Sequence, residues 1–217
     1  MRALFFRDIR LSLDRGWGWL SGVIFYIAFI AIVALAVGGS APVLTAIGPG
    51  LAWSGILFGI LLGAPSLFSD DIRNGALDGL RLHGHGLASI VGARMLSLAV
   101  LTLLPLLIGT FAIGQLLFLD MDRLTRLVAS IFVAAPALAG YAAFSGALMA
   151  RRGAGGFVGI LVTLPWLAPV LIFGTAAVST DGPIWAAPEI RALVGLSLIG
   201  GTVGLFGAVA ALRTNGE

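Results

Sequence analysis

The chain has 217 residues, 59% of them hydrophobic and only 11% charged, with a formal net charge of +3. A soluble domain carries about a quarter charged residues, so this composition excludes an ordinary water-soluble fold and indicates an integral membrane protein. Lysine and cysteine are both absent, which excludes a phosphate-binding P-loop, Schiff-base chemistry, disulfides, thiolate metal sites and C-x-x-C-H heme attachment.

The first fifteen residues, "MRALFFRDIRLSLDR", contain Asp8 and Asp14 and precede an apolar run longer than a signal-peptide core. They are expected to be retained. On a helical wheel Phe5, Phe6, Ile9 and Leu13 share one face, while Arg7, Asp8, Arg10 and Asp14 lie largely opposite. The pattern predicts an amphipathic helix over 1–15 resting in the headgroup layer; a plain lead-in to the first span is the alternative, because Leu4 and Leu11 blur the stripe.

Residues 16–69 carry no charge, which is room for two spans joined by a turn at "GGSAP". A bilayer-spanning helix needs roughly 20 mostly apolar residues. The expected fold is an all-α integral membrane protein forming one domain over 1–217. Its six transmembrane helices fall at about 17–38, 47–68, 92–119, 126–149, 154–178 and 192–212. The one longer polar connection is a loop at 69–91, predicted to hold a short helix.

Six spans place both termini on one side. With the N-terminus inside, that side collects Arg2, Arg7, Arg10, Arg15, Arg73, Arg81, Arg94, Arg151, Arg152 and Arg213, against Arg123, Arg126 and Arg191 outside. The positive-inside rule therefore puts both termini and the 69–91 loop in the cytoplasm. No Asp, Glu, Lys or His falls in the middle of a predicted span, and Gln115, the most polar buried candidate, sits near an outer end. Ion-coupled carriers place acids at depth. Energy is thus expected to come from a partner, since the chain has no nucleotide-binding motif.

The loop "FSDDIRNGALDGLRLHGHG" is where a partner would act. Ser69 is a candidate N-cap, with Asp70 and Asp71 in the favourable first turn. Ile72, Ala76 and Leu80 recur every four residues with Leu77 beside them, an apolar ridge on a helix too short to span. Gly75 and Gly79 permit close approach of another backbone. Such a ridge suits either a groove on a soluble subunit or the chain's own spans and the membrane surface.

The spacing Phe68-x-Asp70-Asp71-x3-Gly75-x-Leu77-Asp78-x-Leu80 resembles the cytoplasmic loop between the second and third spans of type 2 ABC exporter permeases. More closely, it resembles the B subunit of the bacterial heme exporter, the CcmB family of cytochrome c maturation permeases. "LPWLAPVLIFG" at 164–174 is similar to that family's fifth-span Leu-Pro-x3-Pro-x-Leu-Ile-Phe motif, and "IGPGLAW" at 47–53 is also similar. The resemblance implies a non-catalytic permease subunit in a bacterial inner membrane. It would bind no cofactor directly, with ATP on a separate ABC ATPase subunit (the A subunit) and heme as the pathway's ligand. Implied partners are that ATPase, a second copy of the chain, the C and D membrane subunits, the periplasmic heme chaperone and the bilayer, with no nucleic acid. In the family, hydrolysis is tied to release of the heme-loaded chaperone. The alternatives are a non-transporting scaffold subunit, or a type 2 permease with another substrate. The ATPase contact carries over to Asp70, Asp71, Gly75, Leu77, Asp78 and Leu80. "HGHG" departs from the family's Leu/Pro-rich connection.

Four other features are weighed. His83 and His85 lie two apart without a third ligand, and a metal site asks for more. Pro165 and Pro169 share one side of the fifth span, which is expected to kink or break, either as a moving hinge or as a static bend. Trp17, Trp19, Trp53, Trp166 and Trp185 mostly fall near span ends, where tryptophan anchors at the interface. Gly195, Gly200, Gly201 and Gly204 indicate tight helix contact, including contact with a second copy. An intramembrane protease is discounted because neither histidine lies in a span.

Overall fold

A computed structural model describes residues 2–14, 20–150 and 156–214, and among these the regular elements are all helical. Helix α1 (Arg2–Asp14) precedes the bundle. Helices α2 (Ser21–Ala36) and α3 (Ala41–Gly63) form a hairpin. Its turn uses Gly38 and Gly39 at φ of 69° and 67°, a left-handed conformation that costs glycine no Cβ clash. Two short helices follow, α4 (Ser66–Arg73) and α5 (Ala76–Leu82). Helix α6 (Leu87–Leu98) then passes through a π-helical turn (Ala99–Leu103) into α7 (Leu104–Leu116). The wide turn lies just ahead of Pro105, whose missing N–H and bulky ring disturb a regular helix one turn back. Helices α8 (Met121–Met149), α9 (Gly156–Ser179) and α10 (Pro188–Thr214) complete the chain.

Five runs are long and apolar enough to cross a membrane: Ala41–Arg73, Leu87–Leu116, Met121–Met149, Gly159–Ser179 and Pro188–Arg213. Ser21–Ala36 is a shorter apolar helix of 16 residues. The chain is a multi-pass helical membrane protein.

Helix α8 is the hub, packing against α9, α10 and α3. Its segment "AAPALAGYAAFSGA" is rich in small residues, so neighbouring backbones approach closely. A Cβ on Gly140 would lie 2.4 Å from the Gly200 carbonyl oxygen, and one on Gly204 would lie 2.2 Å from the Gly140 carbonyl carbon. Lipid offers little hydrophobic drive for helix association, so such close van der Waals contact supplies it. Of the four glycines singled out in the last span, Gly200, Gly201 and Gly204 thus meet α8 of the same chain, whereas Gly195 faces open space. Gly22 and Gly59 bring α2 against α3 in the same way.

Several expectations are corrected. Trp53 is no interfacial anchor: it is fully buried, its ring lies against Gly174 of α9, and its Nε1 donates to Ser130 Oγ of α8 at 3.3 Å. Helix α3 starts at Ala41 rather than at 47, which carries Trp53 to mid-helix. Trp166 and Trp185 are exposed, and Trp17 and Trp19 lie outside the described residues. Gln115 is exposed; within the apolar layer the buried polar groups include hydroxyls such as Thr110 and Thr163, which donate to carbonyls one turn back in their own helices. Of the kink or break expected at Pro165 and Pro169 the break is absent: helix α9 runs unbroken through both, as membrane helices tolerate where local adjustment re-satisfies the freed carbonyls.

At the end of the bundle away from α4 and α5, Asp120 caps α8 by accepting from the Arg123 N–H at 2.8 Å. Arg126, buried, donates to Asp122 at 2.7 Å and to the Gly182 carbonyl.

The α8–α10 contact gives a direct test. Gly204→Ile forces two backbones apart and is expected to destabilise by about 3 kcal/mol or more, since overpacking typically costs 1–3 kcal/mol before backbone clashes are added. Gly195→Ala, in open space, should leave the melting temperature in detergent unchanged or slightly raised.

Candidate functional site

The polar connection is two helices rather than one. Gly75 stands at φ 67°, and this left-handed residue ends the α4 direction and starts α5 at an angle. Helix α4 begins at Ser66, so Ser69 lies inside it and is not the predicted cap. The expected ridge faces inward: Leu77 is 6% exposed, and Ile72 and Leu80 pack against the same apolar cluster. That cluster draws Leu4 from α1, Phe68 from α4, Leu87, Ile90 and Val91 from α6, Ala143 and Ala147 from α8, and Ala208, Val209 and Leu212 from α10. The N-terminal helix, the loop helices and the end of the last helix therefore share one end of the bundle.

The six predicted loop residues divide by environment. Asp71 and Leu77 are buried, Asp70 and Leu80 half-buried, and Gly75 and Asp78 exposed. Asp78 makes only a surface pairing with Arg81, at 4.0 Å. Beside them Leu82 stands 88% exposed at the end of α5, a large apolar side chain absent from the sequence-derived set. His83 is exposed with Nδ1 2.7 Å from the Gly79 carbonyl oxygen, and among the described residues no group of three His, Cys, Asp or Glu side chains could hold a metal ion.

Behind the exposed tip lies an ion cluster that the sequence reading did not assemble. Asp8 of α1, Asp71 of α4 and Arg94 of α6 are 1%, 4% and 7% exposed. Arg94 Nη2 donates to Asp71 Oδ2, and its Nε lies 3.4 Å from Asp8 Oδ2. Arg7 closes the ring, donating from Nη2 to Asp8 Oδ1 at 2.8 Å and reaching Asp71 Oδ2 at 3.5 Å. Two carboxylates thus meet two guanidinium groups. Helix α1 turns Leu4 and Asp8 inward and leaves Phe6 67% exposed, so its acid, not its aromatic stripe, faces the protein. The available signal was Arg94 itself, an arginine in an otherwise uncharged stretch from 82 to 119, which sequence reading used only for sidedness.

The chain is thus an all-helical multi-pass membrane protein with a folded polar loop between α3 and α6. The comparisons with known proteins make this specific. The chain matches the family described as CcmB protein over residues 1–215, and it belongs to that family. It is 36% identical over 218 residues to heme exporter protein B of Paracoccus denitrificans, covering 99% of each chain. It is 34% identical to heme exporter protein B of Bradyrhizobium diazoefficiens, covering 98% of this chain and 97% of the relative. The same-named protein of Rhodobacter capsulatus is 31% identical over 217 residues.

Removing one member of a buried ion set leaves an uncompensated charge, which typically costs about 3–5 kcal/mol. Arg94→Met should therefore lower stability by that order, whereas Asp78→Ala, losing an exposed pair worth at most about 1 kcal/mol, should be near neutral. Denaturant or thermal unfolding in detergent separates the two.

Proposed function

We propose that the chain is the membrane permease subunit of an ATP-driven complex that handles heme in c-type cytochrome biogenesis. Family membership over essentially the whole chain supports the heme-handling system. The observation that carries the coupling role is the loop: its base is bolted to α1 and α6 by buried charge, while its tip presents Asp78, Arg81 and Leu82 to the outside. A firm base with an exposed mixed tip suits docking into a groove on a soluble partner. In this reading the ATPase touches Gly75, Asp78 and Leu82 with the outer sides of Asp70 and Leu80, and Asp71 and Leu77 hold the loop in shape.

The chain forms a single permease domain, and α2 serves as the first of six crossings. An even count agrees with α1, the loop helices and the end of α10 meeting at one end of the bundle. The ten-to-three arginine distribution supports a cytoplasmic position for that end, and the family supports a bacterial inner membrane, with α1 resting at the membrane surface. Two copies form the membrane core. ATP is bound by the partner ATPase, no cofactor is bound here, and hydrolysis is coupled through this subunit and the C and D subunits to release of the heme-loaded periplasmic chaperone. Pro165 and Pro169 act as bend points of α9 in that cycle.

The test is affinity isolation from the native membrane. The wild-type chain should bring down an ABC ATPase subunit, and the double substitution Asp78→Arg/Leu82→Glu should abolish this recovery while leaving the chain's own melting temperature unchanged. Full recovery by the double variant would remove the loop tip as the contact.

A further inference from the structure

The ion cluster does more than hold the loop, because its partners are unequally distributed among the long helices. The loop shares its apolar cluster with α6, α8 and α10, and α8 and α10 enter that cluster through the apolar side chains of Ala143, Ala147, Ala208, Val209 and Leu212. Apolar contact attracts without direction. The tie to α6 is different. Arg94 holds Asp71 of the loop and Asp8 of α1 on a single guanidinium group, and all three residues are under 8% exposed. The guanidinium is a planar fork: its Nη2 bond to Asp71 is directed, and its Nε faces Asp8 as a counter-charge at 3.4 Å. Separating them would leave a buried charge without its counter-charge, which resists displacement much more steeply than apolar contact.

The other end of the same helix has the opposite character. The π-helical turn Ala99–Leu103 stands between α6 and α7, directly before Pro105. Irregular turns and prolines are the places where long helices bend. One run, Leu87–Leu116, therefore has a fastened lower part and a yielding point about a turn beyond the arginine.

We propose that Arg94 is the positioning residue through which the third membrane helix is selected as the receiver of loop motion: α1, the loop helices and α6 move as one body, and the displacement is taken up at the Ala99–Leu103 turn. This rests on the coupling function above. It gives the buried charges a directional role, the choice of α6 as receiver, beyond holding the loop in shape.

Two measurements on the complex with its ATPase test it. The triple substitution Asp8→Asn/Asp71→Asn/Arg94→Met removes the three buried charges at similar volume and leaves only the part-exposed Arg7. It should still assemble and hydrolyse ATP, yet lower the cellular yield of heme-loaded c-type cytochrome roughly tenfold, the scale expected for a broken coupling network. Arg94→Lys, which keeps the buried counter-charge for Asp71 and Asp8, should retain more of that yield than Arg94→Met, which a merely space-filling role would not predict. An assembled triple variant with wild-type cytochrome yield overturns the proposal. Since the chain has no cysteine, spin labels can be attached at chosen exposed sites. A pair at Phe6→Cys and Leu96→Cys should keep one separation with and without trapped ATP, whereas Phe6→Cys and Ile108→Cys, across the π turn, should change. A nucleotide-dependent change in the first pair overturns the proposal even if the triple variant fails to assemble. Absence of any ATPase subunit on the wild-type chain would instead defeat the coupling function itself.

Discussion

Withdrawing a carboxylate from water is unfavourable enough that it happens only where a counter-charge and directed hydrogen bonds wait. Two carboxylates are withdrawn here, Asp8 and Asp71, and they come from elements sixty residues apart in sequence. They are held by Arg94, with Arg7 at the edge. Without that arrangement, α1 would have no reason to turn its acidic side inward, and α4 would have no fixed angle on α6. The apolar cluster around Leu4, Phe68 and Leu77 supplies attraction at the same place, but attraction without direction. Geometry at this end of the bundle comes from the ions.

Higher in the bundle the problem is solved by other means. There the side chains are almost all apolar or small, and lipid competes equally for apolar surface. Specific association is left to close backbone approach at Gly140 with Gly200 and Gly204, Gly22 with Gly59, and Gly174 under the Trp53 ring. Few polar groups are buried there: Trp53 pairs with Ser130 and Tyr26 with Thr110, while the Ser145 and Ser197 hydroxyls have no hydrogen-bond partner among the described residues. One molecule thus carries two kinds of packing, shape-locked in the apolar layer and charge-locked at the loop.

Sequence reading recovers the features that depend on local composition. Long uncharged runs mark the membrane helices, the polar connection stands out between them, and the loop residues together with the fifth-span motif point to the family. What it loses is anything set by which side of a helix meets a neighbour. Trp53 reads as an end-anchor because its helix starts six residues earlier than hydropathy suggests. The ridge Ile72, Ala76 and Leu80 is visible by period, but period alone cannot distinguish a partner's groove from the chain's own core. Gly75 breaks that period by taking a left-handed conformation, turning one predicted helix into two. Asp71 and Asp70 are neighbours of identical chemistry, and only a fold brings one of them to an arginine twenty-three residues on.

That distinction between neighbouring acids bears on how the loop motif should be understood. A run of acidic residues on a loop facing a soluble partner invites the reading that every one of them meets the partner. Burial argues for a division of labour instead. An acid that contacts another protein must stay hydrated until the partner arrives, as Asp78 does. An acid that is already desolvated and paired, as Asp71 is, has its bonding capacity committed within the chain and would lose by exchanging it. An ionic joint also has a property an apolar joint lacks, which suits a part that transmits force: its energy rises steeply with displacement and depends on direction. The motif's conspicuous charges are then of two kinds, one for being recognised and one for not giving way.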